Sequence, residues 1–421
     1  MELIDKIVSY SNLHEAYKQV VSNKGAAGVD GMSTDELWDF LKENREPIRA
    51  AILSGDYRPN AVKGIFIPKT NSEEKRLLGI PTVIDRFIQQ AIHQVLYKVF
   101  NPRFSYFSFG FRKRKNAQQA VGQALEYANS GYRYVVDIDL SKFFDRVNHD
   151  LLMSLIAKQV QDKALLRLIR RYLQAGIMLN GAVQQRKEGT PQGSPLSPLL
   201  SNILLNELDT ELSNRGHKFV RYADDFSIYV HTKVAATRVM ASIKRFIENK
   251  LKLKINEKKS AVRYVGHMEL LGYGIYRTRK QVFALRVKAD SWRVFKKKCK
   301  EITRKTKPYS FAYRVRKLRE LGQGWIAYFR YAGLHERLNR LDRWLGSRLR
   351  YCIWKTWKRV RTRIRNLKRL GVPPPLAVKW GLNRSGGWHI AHTPILTTTL
   401  TVERLKRRGF KPMSDIYRKY K

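Results

Sequence analysis

The stretch HKFVRYADDFSIYV, residues 217–230, constrains the fold more than any other part of the chain. Two runs of β-branched and aromatic residues flank the adjacent acids Asp224 and Asp225, so the stretch reads as a β-hairpin. Carboxylates this close repel, and burying one without a partner is costly unless it is protonated, paired or metal-bound. A polar Asp-Asp turn joining two strands is the simple explanation; a metal site is the alternative. A second acidic pair bears on the choice. In YRYVVDIDL (132–140) Asp137 and Asp139 alternate with Val136 and Ile138, so both acids fall on one face of a strand. If the hairpin pairs beside that strand, one carboxylate from each converges at a spacing suited to two Mg2+ ions.

Charge favours the metal reading. The 421 residues include 82 Lys and Arg against 35 Asp and Glu, a formal net charge of +47. Such an excess implies a polyanionic partner, most economically nucleic acid. A membrane surface competes, but the bias is spread over hundreds of residues, and no stretch approaches the ~20 apolar residues of a span. Hard divalent cations take oxygen ligands and bind phosphates, which accounts for clustered acids in a basic protein. Residues 286–421 hold 38 of the Lys and Arg against seven acids, so a conventional body is followed by a strongly basic part. Cys299 and Cys352 stand far apart without a CxxC pattern, which argues against a disulfide framework or structural zinc and fits a reducing cytosol. The first twenty residues read as an amphipathic helix rather than a signal peptide.

The chain is long enough for two or three domains, and its 43% hydrophobic content is that of a globular protein. GIFIPKTNSEEKRLLGIP (64–81) reads as a hairpin, and DRFIQQAIHQVLYKVF (85–100) as a helix capped by Asp85. A helix is expected from Asn148 or Asp150, and another over 235–253. Strands and helices alternate to about residue 285, giving an α+β body; beyond it the pattern is helical. Over 340–370 apolar residues recur every three or four positions, predicting one amphipathic helix stopped by GVPPPL (371–376).

Several blocks together carry a family resemblance. YADD (222–225), VVDIDLSKFFDRVNH (135–149), GTPQGSPLSPLLSNILLNELD (189–209) and LKLKINEKKS (251–260) resemble reverse transcriptases, and most closely those encoded by bacterial group II introns. NKGAAGVDG (23–31), FGFRKRKNAQQA (109–120) and WLGSRLRYCIWKTWKRVRTRIRNL (344–367) resemble that family's N-terminal extension, a further signature block and its thumb or maturase domain. The match runs in order over roughly residues 1–370. The Cys pairs of the family's zinc-containing endonuclease are absent, which resembles its compact C-type members.

The resemblance implies a right-hand polymerase. Residues 1–90 would form the N-terminal extension and fingers, 91–285 the palm with remaining fingers elements, 286–375 the α-helical thumb, and 376–421 a basic nucleic-acid-binding segment. Asp139 and Asp224 would be the principal ligands of two Mg2+ ions, with Asp225 shaping the site and Asp137 structural. Lys69 and Arg76 would grip the triphosphate, Gln192 would contact the incoming nucleotide, and Phe144 would exclude a ribose 2′-hydroxyl. Lys258 or Lys259 would protonate the leaving pyrophosphate, and LLGYGI (270–275) would place the primer. Arg112, Arg343, Arg348, Arg350, Arg359, Arg361, Arg363 and Arg365 would contact nucleic-acid backbone.

The implied function is RNA-directed DNA synthesis with deoxynucleoside triphosphates on an RNA template with a DNA or RNA primer. The resemblance adds binding of a cognate intron RNA and target DNA for splicing and retrohoming, in a bacterial cytoplasm or at the nucleoid, with no membrane partner. A free-standing reverse transcriptase recruited to repair or defence, and an RNA-binding splicing cofactor without polymerase activity, stay open as alternatives.

Overall fold

The structure is a computed structural model that describes residues 2–68 and 75–420. The chain divides into two compact units, Met1–Val265 and Gly266–Lys421. In the first unit the strands are β1 (Val62–Pro68), β2 (Lys75–Ile80), β3 (Tyr134–Ile138), β4 (Ile177–Leu179), β5 (Ala182–Gln184), β6 (Lys218–Tyr222), β7 (Asp225–Val230) and β8 (Ala261–Tyr264). The second unit adds β9 (Glu269–Leu270), β10 (Tyr273–Arg277) and β11 (Phe283–Val287), followed by helices.

One sheet of the first unit has the order β6-β7-β3-β8, and all its neighbouring pairs are antiparallel. Its central strands carry the β-branched runs seen in the sequence: Val135, Val136, Ile138, Phe226 and Ile228 are all buried. Of these, Val136, Ile138, Phe226 and Ile228 join one core with the helices Val83–Phe100 and Ser197–Asn214. Both helices are apolar around much of their circumference, so each is enclosed rather than laid on the surface. Each fully buried Ile, Leu or Phe contributes about 1.5–3 kcal/mol, which makes this the element least able to move.

The second sheet has the order β2-β1-β4-β5, and β1 and β2 form the hairpin read from the sequence. The helix after it starts one turn earlier than expected. Thr82 is its cap and accepts the Asp85 amide at 3.1 Å. Asp85 instead lies buried as an acceptor for Tyr57 Oη (2.8 Å), Thr82 Oγ1 (2.7 Å) and the Asn60 amide (3.1 Å). A carboxylate serving donors from three places is a tertiary knot, not a cap.

In the second unit the hairpin β10–β11 is tied to the helix Phe311–Tyr328, because Tyr273 Oη donates to the Tyr328 carbonyl and Tyr328 Oη to that of Leu271 (2.9 Å). The single helix expected over 340–370 is two, His335–Thr356 and Val360–Arg369. Trp357 (φ −86°, ψ 69°) and Arg359 (φ −94°, ψ 145°) leave the helical region, and the Arg363 Nε donates to the Trp357 carbonyl released by the break (3.1 Å). Residues beyond 371 fold into five short helices among the described residues. Among the described residues no helix is long and apolar enough to cross a membrane.

Candidate active site

The two acidic pairs lie at one end of the first sheet. Ile138 stands opposite Phe226 in the β3–β7 register, so Asp139, the next residue, comes beside Asp225 at the hairpin end. Tyr222 pairs with Asp225, leaving Ala223 and Asp224 as a two-residue turn. Ala223 has φ +59°, a conformation that a small residue tolerates best.

An arginine the sequence reading overlooked holds this turn. Arg221 is completely buried, and its Nε and Nη2 make a forked ion pair with Asp209 at 2.7 and 2.6 Å. Nη2 also donates to Ser108 Oγ (2.7 Å), and Nη1 to Asn202 Oδ1 (2.9 Å) and the Ala223 carbonyl (3.0 Å). All five N–H groups of the guanidinium are thereby engaged. The sequence held a signal: a cation within an apolar strand requires an acid, and Asp209 interrupts the apolar face of Leu205, Leu208 and Leu212. The FGF block packs against the same turn. The Phe109 amide donates to the Arg221 carbonyl (2.8 Å), and a Cβ on Gly110 would lie 2.2 Å from the Ala223 nitrogen. Only glycine allows that approach.

Asp139 is fixed from the other side. Its amide donates to Ser260 Oγ (3.0 Å), and its carbonyl accepts the Asn256 amide (2.8 Å), both from the NEKKS block. The same block brings Lys259 Nζ to 3.9 Å from the Asp139 carboxylate. Asp137 pairs with Arg263 at 3.5 Å, and burial raises its pKa. Partial burial, then the repulsion of Asp139, raises that of Asp224, against the lowering pull of Arg76 and Arg221. Asp225, although its surface is open to water, is pushed up to about 6 by lost hydration and by the Asp224, Asp139 and Asp137 carboxylates. Among the described residues no three acidic, His or Cys side chains close into a ligating cluster as they stand. The donor type nonetheless fits Mg2+: mutually repelling hard oxygens, none of them held in a strong ion pair except by the distant Lys259 and Arg263.

Arg76, Phe144 and Gln192 line one cavity of about 540 Å3. Three backbone straps bring them together. The Gly79 amide of β2 donates to the Gln192 carbonyl (2.8 Å), which fixes the strand bearing Arg76 to the PQG turn. The Thr190 amide donates to the Phe144 carbonyl (2.7 Å) and the Gly189 amide to that of Val147 (2.8 Å), tying the Phe144 loop to the same turn. Gly189 has φ +86°, and a Cβ there would lie 2.9 Å from the Phe144 carbonyl oxygen. Phe143, the neighbour of Phe144, is core, at 2% exposure. The cavity also takes Asn23, Arg86 and Phe111, which sequence reasoning did not single out. Lys69 lies outside the described residues.

The arginines expected on nucleic acid divide by partner. Arg343, Arg359, Arg361 and Arg365 are exposed. Arg363 is half-buried over the Trp354 ring at 5.0 Å. Arg348 donates to Thr303 Oγ1 (2.5 Å) and to the carbonyls of Lys300 (3.0 Å) and Thr303 (3.1 Å). Arg350 is corrected: at 8% exposure, with Nε donating to the Leu400 carbonyl (2.8 Å), it is a buried clamp on the tail. Arg112 is likewise a clamp, donating to Asn101 Oδ1 (2.9 Å) and to the carbonyls of Ser105 (2.6 Å), Ser108 (3.0 Å) and Asn101 (3.2 Å). Both Cys299 and Cys352 are buried free thiols.

Residues 67–275 match the family Reverse transcriptase (RNA-dependent DNA polymerase), and residues 292–371 match the Group II intron, maturase-specific domain. Protein YkfC of Escherichia coli (strain K12) is 31% identical over 316 residues, 65% of this chain and 83% of that protein. The Group II intron-encoded protein LtrA of Lactococcus lactis subsp. cremoris is 30% identical over 325 residues, 62% of this chain; the chain spans only 54% of LtrA. A solved Cas6-RT-Cas1–Cas2 complex is a distant likeness, 24% identical over 59% of this chain and 43% of that one, with a TM-score of 0.38. With its reverse transcriptase domain followed by a maturase-specific domain, the chain belongs to the family of group II intron-encoded reverse transcriptases and maturases.

Proposed function

We propose that the protein copies an RNA template into DNA by two-metal nucleotidyl transfer at Asp139, Asp224 and Asp225. The observation that carries this is the placement of acids from two adjacent strand ends beside a turn held by a buried arginine. Asp139 and Asp224 would hold Mg2+, with Asp225 alongside. When bound, the ions supply charge stabilisation for the attacking and leaving oxygens of an in-line displacement. Arg76, with Lys69, neutralises the triphosphate of the incoming deoxynucleotide. Gln192, on a turn strapped to β2, positions that nucleotide, and the Phe144 ring crowds the space a 2′-hydroxyl would take. Lys259 is the better candidate of the two lysines to hand a proton from Nζ to the departing pyrophosphate, since it faces Asp139.

The functional division stays as the resemblance implies, with the N-terminal extension and fingers over 1–90, the palm with remaining fingers elements over 91–285, the thumb over 286–375 and a basic segment over 376–421. The exposed arginines of the second unit, Arg343, Arg359, Arg361 and Arg365, suit contacts to a template–primer duplex and to cognate intron RNA. Splicing, retrohoming into target DNA and action in the cytoplasm follow from that partner. Primer extension on a long RNA template with Mg2+ tests the reading. Deoxynucleotides should extend the primer, ribonucleotides should not, and Asp224→Ala should abolish extension. Tight RNA binding by an intact wild type that extends nothing would leave an RNA-binding splicing cofactor as the function.

A further inference from the structure

A cavity of about 780 Å3 opens within the second unit, far along the chain from the acids. Its walls are the segment 305–314, the end of the helix His335–Thr356 with the break after it, and Ser385 and Gly387. Seven Lys or Arg residues line it and no acid does. Three of the seven already have work. Arg314 is buried and donates to four backbone carbonyls, Arg363 lies over Trp354, and Arg408 lies 4.8 Å over the Phe311 ring. The other four, Lys305, Lys307, Lys355 and Lys358, are exposed, and among the described residues none is in an ion pair.

The apolar part of the cavity is aromatic. Tyr309, Tyr351, Trp354 and Trp357 contribute to its lining. Tyr309 is 38% exposed but its ring already packs on Tyr313 at 4.6 Å with the Arg314 guanidinium 5.6 Å over it, whereas the Tyr351 ring is covered by Lys305 Nζ at 5.1 Å. Cations at a rim and ring faces within are what an unstacked nucleotide requires, because phosphate takes the lysines and the base takes an aromatic face. A duplex offers neither a free base face nor a shape that enters a concave site. The volume falls within the ~300–1,000 Å3 range of small-ligand clefts.

We propose that this cavity captures an unpaired nucleotide of a single-stranded RNA segment, its base against Tyr351 in the place of the Lys305 ammonium, which moves with Lys355 onto the flanking phosphates. The proposal builds on the RNA-binding part of the function above and not on its polymerase chemistry. The cavity would thus read single-stranded features of a folded RNA, while the exposed arginines grip backbone.

Photocrosslinking the full chain to a single-stranded RNA hexamer carrying 4-thiouridine tests it, in EDTA and without nucleotides, so that failure of polymerisation has no bearing on the result. Crosslinks should map to 305–314 and 351–358. An unlabelled hexamer should compete at least about tenfold better than one of the same backbone lacking its bases, since a lost stack weakens binding by that order. The double substitution Lys305→Glu and Lys355→Glu, at exposed positions that folding tolerates, should remove these crosslinks. It should also lower the slope of log affinity against log salt by about 1.4, from two phosphate contacts on a single strand. Crosslinks confined to other segments, equal competition by the abasic strand, or equal competition by polyglutamate would each overturn the proposal. The last two would mark a phosphate-only surface and a site for acidic protein.

Discussion

Replacing Arg221 with methionine keeps much of the side-chain volume and removes five hydrogen bonds at once. Asp209, 1% exposed at its side chain, is then a buried carboxylate without a countercharge. Breaking one partner of such a pair costs about 3–5 kcal/mol, because the survivor's lost hydration is no longer offset. Most of that loss belongs to the stranded acid, so Arg221→Met with Asp209→Leu should be milder than Arg221→Met alone, by at least about 1–2 kcal/mol. Arg221→Lys keeps charge but has only three donors on one nitrogen, and should fall between wild type and Arg221→Met. Equilibrium urea unfolding of five proteins, the wild type, Arg221→Met, Arg221→Lys, Asp209→Leu and the double variant, measures this, with primer extension at permissive temperature as a second readout. The Ala223 carbonyl loses its tether in both variants that carry Arg221→Met, so there kcat should fall more than KM rises. Two results would refute the reasoning: Arg221→Met costing less than about 1 kcal/mol, or the double variant losing the sum of its two singles.

Other perturbations reach neighbouring parts of the site. Gly110→Ala forces a Cβ to within 2.2 Å of the Ala223 nitrogen, and should destabilise by about 3 kcal/mol and depress extension; a thermal melt beside an activity assay checks both. Phe144→Ala should leave deoxynucleotide incorporation largely intact and raise the relative kcat/KM for ribonucleotides at least about tenfold, measured by single-nucleotide incorporation. Burial, with Lys113 nearby, holds the His93 imidazole down to about 4. The unfolded chain therefore binds a proton near pH 6.5 that the folded one refuses, so His93 stability is fully present above that pH. It is lost as pH falls towards 4, by up to about 3 kcal/mol. His93→Gln should flatten a plot of unfolding free energy between pH 6.5 and 4; an unchanged slope would remove His93 as its source.

Local signals made much of the polymerase body legible. The β-branched runs around Asp139 and Asp224 form adjacent strands because such residues fill both faces of a buried sheet, and the hairpin itself is a local pairing of neighbouring runs. The blocks GTPQG and NEKKS were readable as motifs, but their work was not. It consists of backbone bonds to residues such as Phe144 and Asp139, which no pattern of side chains records. Asp85 looked like a cap because acids favour helix starts, whereas its donors include Tyr57, 28 positions before it, and Tyr172 Oη (3.3 Å), 87 positions after it. Arg350 looked like surface because arginine usually is, until the carbonyl of Leu400 supplied a buried acceptor. The break at Trp357 was hidden for a related reason. Apolar spacing continues across it, and only the backbone turns.

The three main-chain straps around the cavity of Arg76, Phe144 and Gln192, at Gly79–Gln192, Phe144–Thr190 and Val147–Gly189, are indifferent to the side chains they position. A substitution at Phe144 or Gln192 therefore changes what the cavity accepts without unfastening the wall that presents it. Scaffold and preference can drift separately in a lineage, with Gly189 held by its φ of +86° while the side chains around it explore. For anyone altering such a cavity, the side chains that line it are adjustable parts, and the glycine at 189 that lets its walls meet is not.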